Sequence, residues 1–158
     1  MELNQKVADF TLQTDEDKTA SLSDYAGKPV VLFFYPRADT PGCTIEACGF
    51  RDTFKKLQAA GAVVLGISRD TPRDQAKLRA KYDLPYTLLA DVDEVVCKQF
   101  DVLKEKNMYG KKVIGIERTT FLIGPDRRLI KVFAKVKPEG HAEEVLAAIK
   151  EYAKAHKV

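Results

Sequence analysis

Cysteine is scarce in this chain, three residues in 158, and an odd count leaves one thiol unpaired whatever pairing is assumed. A disulfide scaffold is not expected at that density. Glycine and proline number only 9 and 7, which sets aside collagen-like and low-complexity chains. Charge of one sign is barely in excess: 26 Lys+Arg against 23 Asp+Glu leaves +3, with both signs mixed along the chain. Nucleic acid is therefore not an expected partner. The basic pairs at 55–56, 111–112 and 127–128 carry no interleaved aromatic platform and read as solvated faces. Long apolar runs are missing too, since Val30–Tyr35 and Ala62–Ile67 fall far short of the ~20 residues that span a bilayer. No membrane segment is expected. The start, Met-Glu-Leu-Asn-Gln-Lys, lacks both the basic and apolar regions of a signal peptide and the arginines of a presequence, so the expected address is cytoplasmic.

What is present describes an ordinary globule, 45% hydrophobic and 31% charged. Its length corresponds to one domain, residues 1–158, with room for a real core. Short apolar runs alternate with segments of helical period, which predicts an α/β fold with a central, partly parallel sheet. Strands are expected at Val30–Tyr35, Ala62–Ser68, Tyr86–Ala90, Thr119–Ile123 and Leu129–Ala134, the first two at the sheet centre because they are continuously apolar. Helices are expected to begin near Thr40, Thr71, Asp91 and Gly140. In the first, Thr40 suits the N-cap and Pro41 the first helical position, Phe50, Phe54 and Leu57 mark one face, and Gly61 closes the element. In the last, Val145, Ile149 and Tyr152 share a stripe. Residues 104–112 read as a charged loop containing Gly110, and Tyr109 within it has no assigned role.

The segment Pro36-Arg37-Ala38-Asp39-Thr40-Pro41-Gly42-Cys43 carries the chain from a buried strand into a helix and sets Cys43 in its first turn. Orphan N–H groups and the positive end of the macrodipole there favour a thiolate, and the carboxyl end of a strand in an α/β sheet is where ligand crevices form. Spacing alone leaves open whether Cys43 is such a nucleophile or a small residue filling a helix start. Cys48 follows five residues later, so an ideal helix holds the two Cα atoms roughly 8 to 9 Å apart. That exceeds the ~7 Å reach of a disulfide, so pairing would require the first turns to unwind. Cys97 has carboxylates at Asp93, Glu94 and Asp101 within helical reach, which quench a thiol, and reads as a half-buried bystander beside Val92, Val96 and Phe100. Its rival role is to resolve Cys43 in place of Cys48. His141 and His156 lack ligand spacing and read as solvated or capping residues, so no metal site is expected.

The pattern Pro36-x-x-x-Thr40-x-x-Cys43 resembles the peroxidatic signature of peroxiredoxins. The longer match, Phe34-Tyr35-Pro36, Thr40-Pro41-Gly42-Cys43-Thr44, Glu46-Ala47-Cys48 and Phe50-Arg51-Asp52, is similar to the bacterioferritin comigratory protein, or PrxQ, subfamily. Further blocks follow in order: Ala8 to Leu12, Leu65 to Ser68, Leu88 to Asp91, and Gly115 to Ile123. The resemblance implies a thioredoxin-like fold with a central mixed β-sheet flanked by helices. It implies reduction of hydrogen peroxide and organic hydroperoxides without metal, haem or flavin, and a monomer recycled by thioredoxin or a similar dithiol. By the same resemblance Cys43 is the peroxidatic and Cys48 the resolving cysteine, Thr40 the hydroxyl that contacts peroxide, Pro36 the shield of the pocket, and Arg118 the cation beside the thiolate. Physical chemistry gives Arg118 some independent support, since a guanidinium at the head of a buried strand needs an anion; a partner for Glu117 or a surface strand-end cation would be the plain alternative. The competing view of the whole chain is a non-catalytic α/β interaction domain with incidental cysteines.

Overall fold

Five apolar residues in succession give Val30–Phe34 no polar face to offer water, and all five are buried at the middle of a sheet. The computed structural model describes residues 2–155. In chain order its first elements are β1 (Thr11–Thr14), β2 (Thr19–Ser21), a single 3-10 turn (Leu22–Tyr25), β3 (Val30–Phe34), α1 (Pro41–Ala59), β4 (Val63–Ser68) and α2 (Pro72–Tyr82). There follow β5 (Thr87–Ala90), α3 (Val95–Gln99), β6 (Leu103–Met108), β7 (Lys111–Ile116), β8 (Thr119–Ile123), β9 (Leu129–Phe133) and α4 (His141–Ala155). Seven strands form one mixed sheet in the order β2-β1-β5-β4-β3-β8-β9. Strands β3, β4 and β5 are parallel, and β8 runs antiparallel beside β3. This is the mixed α/β architecture that the resemblance implies.

Alternation along β3 divides the interior into two cores. Val31, Phe33 and Tyr35 point to one face, where Cys43, Phe50 and Leu57 of α1, Leu78 of α2 and Val145 and Ile149 of α4 cover them. Val30, Leu32 and Phe34 point to the other, against Val96, Cys97, Phe100, Ile116 and Phe121. Both α1 and α2 start at proline, which fits the first helical turn because its missing N–H has no acceptor there. Gly61 closes α1 with φ +85, a conformation that costs glycine nothing. Among the described residues no helix is long and apolar enough to cross a membrane.

Three sequence expectations are corrected. Residues 104–112 are not a loop: Leu103–Met108 and Lys111–Ile116 pair as an antiparallel hairpin that turns at Tyr109 and Gly110, both with positive φ. Tyr109 is fully exposed on that turn. Strands β1 and β2 were not anticipated, being short and polar at the sheet edge. The third helix starts at Val95, later than Asp91, behind Glu94 in the left-handed region, and Val92 is exposed where a buried stripe was expected.

Candidate active site

The loop that leads into α1 is anchored from outside that helix. Tyr35 extends β3 by one hydrogen bond, its N–H to the Ile67 carbonyl at 3.0 Å, and its buried hydroxyl donates to Gln75 of α2. Pro36 follows, partly buried, between β3 and the loop. The Ala38 N–H donates to Asp70 Oδ2 at 2.7 Å, and the same oxygen accepts from Ser68 Oγ at 2.6 Å. Asp39 adopts a left-handed φ of 58, and its carboxylate takes Lys81 Nζ at 2.8 Å and the Tyr82 hydroxyl at 2.9 Å. Those two donors hold the Asp39 carboxyl below the usual carboxylate range.

Thr40 is the N-cap residue of α1 by position, with φ −95 and ψ 156. Its side chain does not cap the helix, contrary to expectation. The hydroxyl instead donates backward to the Arg37 carbonyl at 3.0 Å, which leaves its oxygen free to accept. The N–H groups of Gly42 and Cys43, which helix geometry deprives of intrahelical acceptors, therefore are not consumed by that hydroxyl.

Arg118 stands immediately before β8, and the pairing of Thr119 with Phe34 sets it beside the carboxyl end of β3. From there its Nη2 donates to Cys43 Sγ at 3.4 Å and its Nη1 to Glu46 Oε1 at 2.9 Å. Its partner is thus Glu46, 72 residues away in sequence, and not the adjacent Glu117. Gly42 makes the approach possible: a Cβ there would lie 3.0 Å from Arg118 Nη2. Cys43 is 1% exposed, and the Arg118 side chain 15%. Burial pushes Glu46 up to about 7 against the pull of Arg118, and its Oε2 has no hydrogen-bond partner among the described residues. A second cation lies close by, because Lys106 of β6 donates to the Ile116 carbonyl at 2.6 Å and feels both Arg118 and Cys43.

Cys48 lies farther along α1, partly buried, and all three cysteines are free. Cys97 lies in the opposite core, so the sheet stands between it and Cys43. Its thiol is pushed far up, first by burial and then by Asp91; of the anticipated neighbours Glu94 adds to the rise, whereas Asp93 and Asp101 do not figure in it. His141 is likewise corrected. It is buried, with Nε2 2.7 Å from Thr120 Oγ1 and its ring edge-on to Phe50 and Phe133, and burial pushes it down to about 4. His156 lies outside the described residues. Sequence reasoning gave Glu46 no role, although the spacing of three from Cys43 puts both on one helix face.

A cysteine at a helix start with a cation against its sulfur is suited to nucleophilic attack, and on this sheet the combination fits a thiol-dependent peroxidase. The AhpC/TSA family model matches residues 3–132, and the chain belongs to that family. It is 52% identical over 149 residues to the putative peroxiredoxin bcp of Coxiella burnetii, covering 94% of this chain and 99% of that one. To peroxiredoxin Bcp of Bacillus subtilis it is 44% identical over 151 residues, with 96% of each chain covered. A solved structure of the Xanthomonas campestris bacterioferritin comigratory protein superposes with a TM-score of 0.87 at 42% identity, over 91% of this chain and 92% of that one.

Proposed function

We propose that this chain reduces hydroperoxides through Cys43, with Cys48 as its intramolecular resolving partner and a thioredoxin-like dithiol as reductant. The Cys43 thiolate attacks the distal peroxide oxygen, the O–O bond breaks, and the leaving hydroxide or alkoxide takes up a proton as Cys43 becomes a sulfenic acid. Arg118 and the first N–H groups of α1 stabilise the charge that moves onto the leaving oxygen. Thr40 Oγ1, whose own hydrogen is spent on Arg37, accepts from the peroxide O–H. Pro36 shields the sulfur from bulk water. The first turns of α1 then unwind, Cys48 condenses with the sulfenic acid to form a disulfide and release water, and an external dithiol restores both thiols by exchange. Because the resolving thiol is on the same chain, a single-domain monomer is sufficient.

The observation that carries this reading is the Arg118 guanidinium held between Cys43 Sγ and Glu46. Support for the substrate class comes from the Xanthomonas relative, whose structural work concerns alkyl peroxide reduction. The test adds one equivalent of hydrogen peroxide to the reduced protein and follows free thiols, intact mass and non-reducing peptide maps. Loss of two thiols without gain of oxygen, with peptides containing Cys43 and Cys48 linked, is the expected result. Retention of all three thiols would overturn the peroxidase assignment, and linkage of Cys43 to Cys97 would overturn the resolving step.

A further inference from the structure

Glu46 is 1% exposed, on the helix segment between the two cysteines proposed to pair. One carboxyl oxygen is bound to Arg118 across the site and the other has no partner among the described residues. No opening that carries Cys48 to Cys43 can leave residue 46 in place, because three to four residues make one helical turn and Glu46 lies inside the turns that must unwind. Once those turns open, the carboxyl exchanges a half-satisfied interior position for full hydration. We propose that Glu46 is a positioning residue for the resolving step: a latch whose transfer between the protein interior and water sets how readily the start of α1 opens. The proposal rests on the Cys43–Cys48 disulfide for its catalytic meaning.

The direction of the pH effect follows from linkage. The closed helix holds the Glu46 carboxyl at about 7, against an ordinary 4.5. A value raised in the closed state means that the closed state is favoured in full below about 4.5 and loses that advantage as pH rises toward 7. Opening thus releases a proton across this window, and it becomes easier by about 40-fold between pH 5 and pH 7, levelling off above. The titratable groups that other elements bring to Glu46 and its partner are Arg118, Tyr86, His141 and Lys106. Arg118 stays cationic, and the Tyr86 hydroxyl ahead of β5 is pushed well up by burial. His141 of α4, which faces Arg118, is neutral above about 4. Lys106 of the hairpin, pushed down mainly by burial, faces the same guanidinium. Cys43, on the same helix and against the same guanidinium, is removed from the test by substitution.

The test measures hydrogen exchange of the backbone amides 43–48 in a Cys43→Ser, Cys48→Ser chain between pH 5 and pH 8, corrected for the intrinsic exchange rate. Opening is expected to rise about 40-fold from pH 5 to pH 7 and then flatten. Adding Glu46→Gln should remove the rise. A flat profile in the double-serine chain overturns the latch, and that result needs no further variant if Glu46→Gln does not fold. The same rise with glutamine in place also overturns it. Failure of the disulfide reading shows separately, in peptide maps of oxidised wild-type protein; a pH-dependent opening in the serine chain supports the latch whichever thiol those maps name.

Discussion

Replacing Arg118 with methionine keeps an unbranched apolar stem and removes the guanidinium with both of its ties, Nη2 to Cys43 Sγ at 3.4 Å and Nη1 to Glu46 at 2.9 Å. The first tie bears on the reaction. A preorganised donor aimed at developing charge is worth about 10²–10³ in rate, and the peroxide rate constant should fall by that much. The second bears on folding. Stranding a charged partner in the interior costs about 3–5 kcal/mol, but Glu46 already sits at about 7 and can take a proton. The penalty then drops to that of an unpartnered neutral polar group, about 1–3 kcal/mol. Stopped-flow competition for hydrogen peroxide gives the rate, and urea unfolding gives the stability. A rate loss below about fivefold in a variant that unfolds near the wild-type midpoint would refute the assignment of the guanidinium to the reacting sulfur. Arg118→Lys separates charge from shape: it retains the charge and loses the two-pronged geometry, so its rate should fall between the other two.

Gly42→Ala would set a methyl group 3.0 Å from Arg118 Nη2. Displacing the guanidinium should lower peroxide reduction and loosen its tie to Glu46, so the rate should fall with a stability loss of no more than about 1–3 kcal/mol; an unchanged peroxide rate would contradict the close-approach argument. Cys48→Ser should react with one equivalent of peroxide and then stall, gaining the mass of oxygen on Cys43, and continued turnover with a dithiol protein would remove Cys48 from the cycle. His141 is held at about 4, below its ordinary 6.5, so its contribution to stability is complete above pH 6.5 and is lost as pH falls toward 4. His141→Phe should flatten this acid limb by up to ~3 kcal/mol in urea titrations across pH 6.5 to 4, and parallel curves for the two proteins would show that the ring is not held neutral.

Legibility followed burial. The central strands could be read because β3 and β4 are covered on both faces and carry the apolar runs Val30–Phe34 and 63–67. The starts of α1 and α2 were marked by Thr-Pro pairs at Thr40-Pro41 and Thr71-Pro72. The β6–β7 hairpin was hidden because lysines and glutamate fill much of it and its middle is exposed, so no alternating pattern reports a buried face; Gly110 was the one available sign of its turn. At the site, Cys43, Thr40 and Pro36 lie within one local motif, whereas the Arg118–Glu46 pair depends on the register of β8 against β3, which local sequence does not encode. His141 continues the stripe of Val145 and Ile149 by one more step of four. That spacing held the evidence of burial, and the polar residue type masked it.

The anchors of residues 36–40 have a mechanical consequence. Asp70, Ser68, Lys81 and Tyr82 all belong to segments other than α1, so the bracket they form stays standing when the neighbouring coil is loosened. In the proposed cycle this bracket would be one wall of the peroxide pocket that outlasts each oxidation: the loosened turns would rewind against contacts that the unwinding does not involve, and the reactive geometry would be restored without a search.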